Sequence, residues 1–286
     1  MSVVDPARPF IAPKRRRRLR RWLYAAVLAY LGVLILLLAL ERRFIFVPST
    51  AAQSWHEKPD PRFEDVTLHA ATGEVIHAWW LPQPGATGVL HYSHGNAGNL
   101  SHRAPGILRW AQELNVSVLI YDYPGYGRSE GRANEENCYA AAEAAYQWLT
   151  DVQKVEPKQV LLLGASLGAS MAVEMARQHD HRALILIKPF SSIPDMAQAR
   201  FPWLPARYFV RHKFDNVAKI RDCHRPVFVV HGTTDTVIPY RLGKRLYEAA
   251  NEPKEFVTLD GHDHNTSLPG DFFERLRAFL DQHAPN

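Results

Sequence analysis

From residue 88 onward, short apolar runs alternate with longer amphipathic ones. Runs of strand length stand at 88–93, 117–121, 159–163, 183–187, 227–230 and 255–259, and helical patterns at 103–114, 135–151, 167–178, 240–250 and 271–282. Such alternation predicts parallel strands joined by crossover helices. Two earlier β-rich runs, 64–69 and 75–81, the second alternating polar and apolar positions, predict an antiparallel opening hairpin. Residues 190–224 interrupt the alternation as an insertion. No internal repeat appears, and the only low-complexity stretch is a block of arginines near the N-terminus.

A different pattern precedes the hairpin. Residues 23–40 read LYAAVLAYLGVLILLLAL without a charge or a strong helix breaker; as a helix they span about 27 Å, enough to cross a bilayer. A core helix has no need of flanking arginines, and a cleaved signal has a shorter apolar stretch and a small-residue exit site, so the pattern favours a membrane anchor. Lys14 to Arg21 lie on one flank and only Arg42 and Arg43 on the other. That asymmetry predicts a single-pass protein with a cytoplasmic N-terminus, its body periplasmic, otherwise extracytoplasmic, or lumenal. A twin-arginine export signal is the weaker alternative. The division expected is a basic tail 1–22, an anchor 23–40, a proline-punctuated linker 41–61 and a folded body 62–286.

Charge sharpens this division. The chain is +5 overall, yet residues 1–22 alone carry +7, from eight basic residues against Asp5. With Glu41, Arg42 and Arg43 at +1, the chain from Phe44 onward is −3. The body has no net positive field to neutralise phosphates, which argues against nucleic acid as a partner. At 47% hydrophobic and 22% charged residues the whole chain has a composition within the globular range. Cys138 and Cys223 fall in separate parts of the chain and read as free, buried thiols. No paired-cysteine or helical His-Glu-x-x-His spacing is present, so no metal site is expected.

The chemistry gathers around Gly164-Ala165-Ser166-Leu167-Gly168. An unbroken apolar run, Val160 to Leu163, leads in, and an amphipathic run leads out, so Ser166 stands on a strand-to-helix turn. Glycines at both flanks prevent collisions between strand and helix, and the turn leaves the serine Oγ exposed. Without that context Ser166 would read as a helix N-cap; with it, the serine is a nucleophile. The N–H of Leu167, at the helix start, then faces a developing oxyanion.

A serine nucleophile needs a base, and the base an orienting acid. Asp235 follows the strand at 227–230, where ligand sites gather in open sheets. The base is expected in the loop Leu259 to Asn265, where His262 and His264 compete and spacing does not decide between them. A second oxyanion donor is expected after the strand at 88–93, at the backbone N–H of Asn96, with Gly95 allowing a close approach. His94 reads as structural, because the base comes from the later loop.

These blocks resemble the α/β-hydrolase superfamily, and more narrowly its membrane-anchored α/β-hydrolase-domain branch. The resemblance spans roughly residues 63–280 and rests on His94-Gly95-Asn96-Ala97-Gly98-Asn99, Asp122-Tyr123-Pro124-Gly125-Tyr126-Gly127-Arg128-Ser129, Gly164 to Gly168, Pro189-Phe190-Ser191-Ser192, the Asp235 loop and His264-Asn265. It implies an α/β-hydrolase fold, with a mostly parallel sheet flanked by helices and a short helical lid at 190–224. It implies acyl hydrolysis without a cofactor. In relatives the catalytic histidine precedes an asparagine, which selects His264. Lys188 departs from the pattern, since relatives more often carry a small or acidic residue there.

The resulting expectation is a membrane-anchored serine hydrolase acting on an ester or thioester of an acyl or lipid-type small molecule. Lys188, Phe190, Phe201 and Trp203 are expected near the acyl group, with Lys188 favouring anionic substrates. Phe201 and Trp203 read equally well as packing against the sheet. An acyltransferase using the same three residues, or a non-catalytic membrane-tethered scaffold, are the alternatives.

Overall fold

A computed structural model describes residues 13–285, with side chains from residue 16. Asp5 and Arg8 of the basic tail lie outside the described residues. The chain divides into two compact units, Met1–Glu41 and Arg42–Asn286.

The first unit holds most of α1 (Pro13–Ile45), one continuous helix, long and apolar enough to cross a membrane and almost nowhere buried. Leu23, Tyr24, Leu28, Ile35 and Leu36 are all exposed. The helix is a candidate span by length and composition.

The second unit is built on one sheet of eight strands in the order β1-β2-β4-β3-β5-β6-β7-β8. The strands are β1 (Glu64–His69), β2 (Val75–Leu81), β3 (Val89–Ser93), β4 (Ser117–Tyr121), β5 (Val160–Ala165), β6 (Ala183–Ile187), β7 (Val227–Gly232) and β8 (Lys254–Leu259). β1 and β2 are antiparallel, and β2 runs antiparallel to β4; every pairing from β4 through β3 to β8 is parallel. On one face pack α3 (Glu135–Gln147), α4 (Gly168–Gln178) and α8 (Tyr240–Ala249), and on the other α2 (Ala104–Leu114) and α9 (Phe272–His283). Between β6 and β7 stand α5 (Ile193–Arg200), α6 (Ala206–Phe209) and α7 (Asn216–Ile220), the expected helical insertion.

The two-sided core explains the unbroken apolar runs. Leu162 and Leu184 face one buried layer, while Leu161, Leu163 and Ile185 face the other. A strand covered on both faces is apolar except where a buried polar side chain finds a partner, as His91 does at the carbonyl of Ala142. Helices begin where the sequence supplies caps: Asn134 accepts the N–H of Asn137 at 2.8 Å ahead of α3, and Ser192 that of Asp195 at 3.2 Å ahead of α5.

The stretch expected as a linker is built into the body. Phe46 is buried, with its ring centroid 6.1 Å from that of Phe214. Ser49 donates to the carbonyl of Gly98 at 3.2 Å, and Ala51 and Gly127 exchange backbone bonds with Gly127 and Ser49 at 2.7 and 2.9 Å. The compact unit therefore starts at Arg42, well before residue 62. The bonds are main-chain bonds, which any non-proline residue can make, so a polar sequence gives no sign of them. Cys138 and Cys223 are both free and buried.

Candidate active site

Five parallel strands deliver their carboxyl ends to one edge of the sheet: β3 to Asn96, β5 to Ser166, β6 to Lys188, β7 to Asp235 and β8 to His264. In an open parallel sheet this is where ligand sites form.

Ser166 lies between β5 and α4 at φ 51°, in the left-handed region, with its N–H bonded to the carbonyl of Ile187 at 2.9 Å. That conformation costs a non-glycine residue about 1–2 kcal/mol. The turn is as tight as its glycines suggest. A Cβ on Gly168 would stand 2.0 Å from the carbonyl oxygen of Ser93, and one on Gly164 would stand 2.5 Å from Cα of Ala169. A Cβ on Gly95 would lie 3.6 Å from Cβ of Ser166, so the loop after β3 runs directly past the serine.

His264 bridges the serine and the aspartate. Its Nε2 is 3.2 Å from Ser166 Oγ, and its Nδ1 is 2.7 Å from Asp235 Oδ2. An ionised carboxylate only accepts, so Nδ1 carries the proton and Nε2 is left to accept from the hydroxyl. Burial would raise the carboxyl of Asp235, but hydrogen bonds from His231 and His264 and from the N–H of Ile238 hold it well below the usual carboxylate range. His262 meets neither Ser166 nor Asp235; its carbonyl accepts from Thr234 at 3.2 Å.

Leu167 stands at the start of α4, and no acceptor among the described residues engages its backbone N–H or that of Asn96. Both amides belong to the turns that flank Ser166. Around them, Arg103 donates to the carbonyl of Ala97 at 2.6 Å, Tyr123 Oη to the carbonyl of His94 at 2.5 Å, and Tyr126 Oη to Asn96 Oδ1 at 2.7 Å. His94 is fully buried, with Nε2 3.3 Å from Asp122 Oδ1 and Nδ1 2.8 Å from the carbonyl of Gly95, a structural placement.

The residues expected around the acyl group differ in burial. Phe190 is packed in the core layer, Phe201 is half-buried, and Trp203 is 61% exposed. Lys188 corrects the idea of a charge offered to anionic substrates: it is buried, and its ammonium is taken up by backbone carbonyls of the His264 loop.

Residue type and spacing carried no sign of His231. Its Nε2 lies 3.3 Å from Asp235 Oδ2 and 2.9 Å from the carbonyl of Ile238, a second imidazole on the same carboxylate. The residue sits inside β7, where the alternation of a strand buried on both faces conceals direction. Among the described residues, no group of three or more His, Cys, Asp or Glu side chains is placed to hold a metal ion.

Residues 84–218 match a family model described as the alpha/beta hydrolase fold. Human alpha/beta hydrolase domain-containing protein 17B is 34% identical over 204 residues, covering 71% of this chain and 69% of that protein. The chain belongs to the α/β-hydrolase family. An uncharacterized protein of Mycobacterium tuberculosis is also 34% identical, over 258 residues that cover 88% of this α/β-hydrolase and 92% of the relative. Among solved structures, an esterase of Pyrococcus furiosus is similar with a TM-score of 0.67 and 19% identity, covering 83% of this hydrolase and 99% of that chain, a likeness of fold.

Proposed function

We propose that this α/β-hydrolase is a membrane-anchored serine hydrolase that cleaves a carboxylic ester or thioester of an acyl or lipid-type substrate, with Ser166 as nucleophile, His264 as base and Asp235 as its orienting acid. The observation that carries this reading is the unbroken hydrogen-bonded chain from Ser166 Oγ through both nitrogens of His264 to Asp235. In the first step Oγ attacks the acyl carbonyl as its proton passes to Nε2. The backbone N–H groups of Leu167 and Asn96 take the negative charge that develops on the carbonyl oxygen. Collapse expels the alcohol or thiol, which receives the proton from His264, and leaves an acyl group on Ser166. Water then attacks the acyl carbonyl as its proton passes to His264, and collapse breaks the bond to Ser166 Oγ, which takes that proton back from His264 as the acid leaves.

The acyl or lipid class rests on the insertion. Trp203, Tyr208 and Phe209 are exposed there, and between Asp195 and Asp215 the chain has no acid but carries Arg200, Arg207, Arg211 and Lys213. Exposed aromatics beside cations suit a lipid–water interface from which an acyl substrate enters. The anchoring rests on α1, and the asymmetry of flanking arginines orients the body to the extracytoplasmic or lumenal side.

The test is hydrolysis of p-nitrophenyl esters and acyl thioesters from acetyl to palmitoyl by the full chain in nanodiscs. The parent should favour longer acyl chains, and Ser166→Ala should fall to the rate without protein. Hydrolysis by Ser166→Ala at the parental rate would sink the reading.

A further inference from the structure

Lys188 follows β6 directly at φ 49°, in the left-handed region, with its N–H bonded to the carbonyl of Val230 at 2.7 Å. Glycine or asparagine would occupy that position with less strain, so a long cationic side chain there calls for a reason. Its residual exposure is 5%, and the ammonium is surrounded. Nζ donates to the carbonyls of Asp263 at 3.0 Å, His264 at 2.6 Å and Thr266 at 2.8 Å. An ammonium has three N–H donors, and all three acceptors come from one turn, the one that presents the His264 imidazole.

The same turn is fastened on its other side. Asp263 Oδ1 accepts the N–H and the hydroxyl of Thr236, each at 2.8 Å, which ties it to the loop carrying Asp235. The turn is thus held between the end of β6 and the loop after β7. Charge-assisted bonds of this kind are roughly twice as strong as neutral ones. Burial lowers the Lys188 pKa, while the charges of Asp235 and Asp263 support the ammonium.

We propose that Lys188 is a positioning residue: a buried ammonium that fixes the backbone of residues 263–266 and so sets the aim of His264 between Asp235 and Ser166. This rests on the triad reading above. It assigns to a lysine at the end of a neighbouring strand the job of holding the base loop by its carbonyls, through contacts that never reach the substrate.

The experiment compares Lys188→Met, Lys188→Gln and Lys188→Arg with the parent, all as full chains in nanodiscs, by amide hydrogen exchange and by steady-state kinetics on one soluble ester. For Lys188→Met, exchange over residues 261–268 should quicken about tenfold or more while the strands keep their protection. Its kcat should fall about 100-fold with KM unchanged, the cost of a misplaced base. Lys188→Gln should show a smaller loss and Lys188→Arg should recover most of kcat. A folded Lys188→Met with parental kcat and parental exchange overturns the proposal. If Lys188→Met does not fold, Lys188→Gln decides: parental kcat overturns the proposal and a partial loss with a looser turn supports it. A parent without esterase activity would defeat the triad reading, while the exchange data would still show whether Lys188 holds the turn.

Discussion

Asn96 Oδ1 accepts the backbone N–H of Val47 at 3.0 Å, and its Nδ2 donates to the carbonyl of Ile45 at 2.7 Å. With Tyr126 Oη on the same oxygen, the side-chain amide of the residue proposed to hold the oxyanion is bound to the segment 45–47. The strand-like contacts of Pro48 with Gly98 and Thr50 with Gly127 continue that attachment along both loops. Residues 45–51 thereby act as part of the site's framework.

Truncation tests this. A chain beginning at Arg42 should fold, whereas one beginning at Ala52 loses buried Phe46, worth about 2 kcal/mol, and several hydrogen bonds of about 1 kcal/mol each. Its melting temperature should drop by roughly 10–20 °C at about 2–4 °C per kcal/mol, as read by thermal scanning of the two chains. Equal melting temperatures would return the segment to the status of a linker.

His262 and His264 separate cleanly by geometry. His264→Ala should lower kcat by about 10⁴-fold or more, while His262→Ala should stay near the parental rate, both measured on a soluble ester. The reverse ranking would reassign the base.

Asp235→Asn keeps the shape of the carboxylate but offers His264 an amide, and should lower kcat by about 10³- to 10⁴-fold. It also carries a pH signature. The native carboxyl sits below its ordinary value, so in the unfolded chain, where it titrates near about 4, it binds protons that the native state does not. The stability this gives is complete above the ordinary carboxylate range and is lost as pH falls below it. Urea unfolding between pH 6 and the acid limit of the fold should show a shallower decline for Asp235→Asn than for the parent.

Gly168 tests the turn itself. The carbonyl oxygens of Ser93 and His94, 2.0 and 2.6 Å from a Cβ placed there, belong to the backbone and have little freedom to move. Gly168→Ala should cost about 3 kcal/mol or more, or else fold with Ser166 displaced. Urea denaturation combined with active-serine labelling distinguishes these outcomes from a neutral change.

Much of this was legible in the sequence because burial dictated it. Val160 to Leu163 of β5 and Val227 to Val230 of β7 had to be apolar, and the glycines at 164 and 168 reveal a turn that admits no Cβ. Ser166, Asp235 and a histidine each follow a strand, which made that order visible, but the choice of His264 over His262 came from the family resemblance and not from spacing. What stayed hidden depended on direction across the sheet edge. Lys188 reads as an offered charge until its ammonium is seen on three carbonyls, and His231 reads as a strand residue until its ring is seen against Asp235. Phe46 to Ala51 looked like a linker because main-chain bonding leaves no mark on residue type.

The central claim is that Ser166 is an activated nucleophile. It is tested most directly by a fluorophosphonate probe applied to the full chain in nanodiscs, followed by mapping of the modified peptide. The account predicts rapid labelling of the parent at Ser166 and none of Ser166→Ala, with His264→Ala labelled far more slowly. Folded parent protein that resists the probe, or labelling that persists in Ser166→Ala, would contradict it.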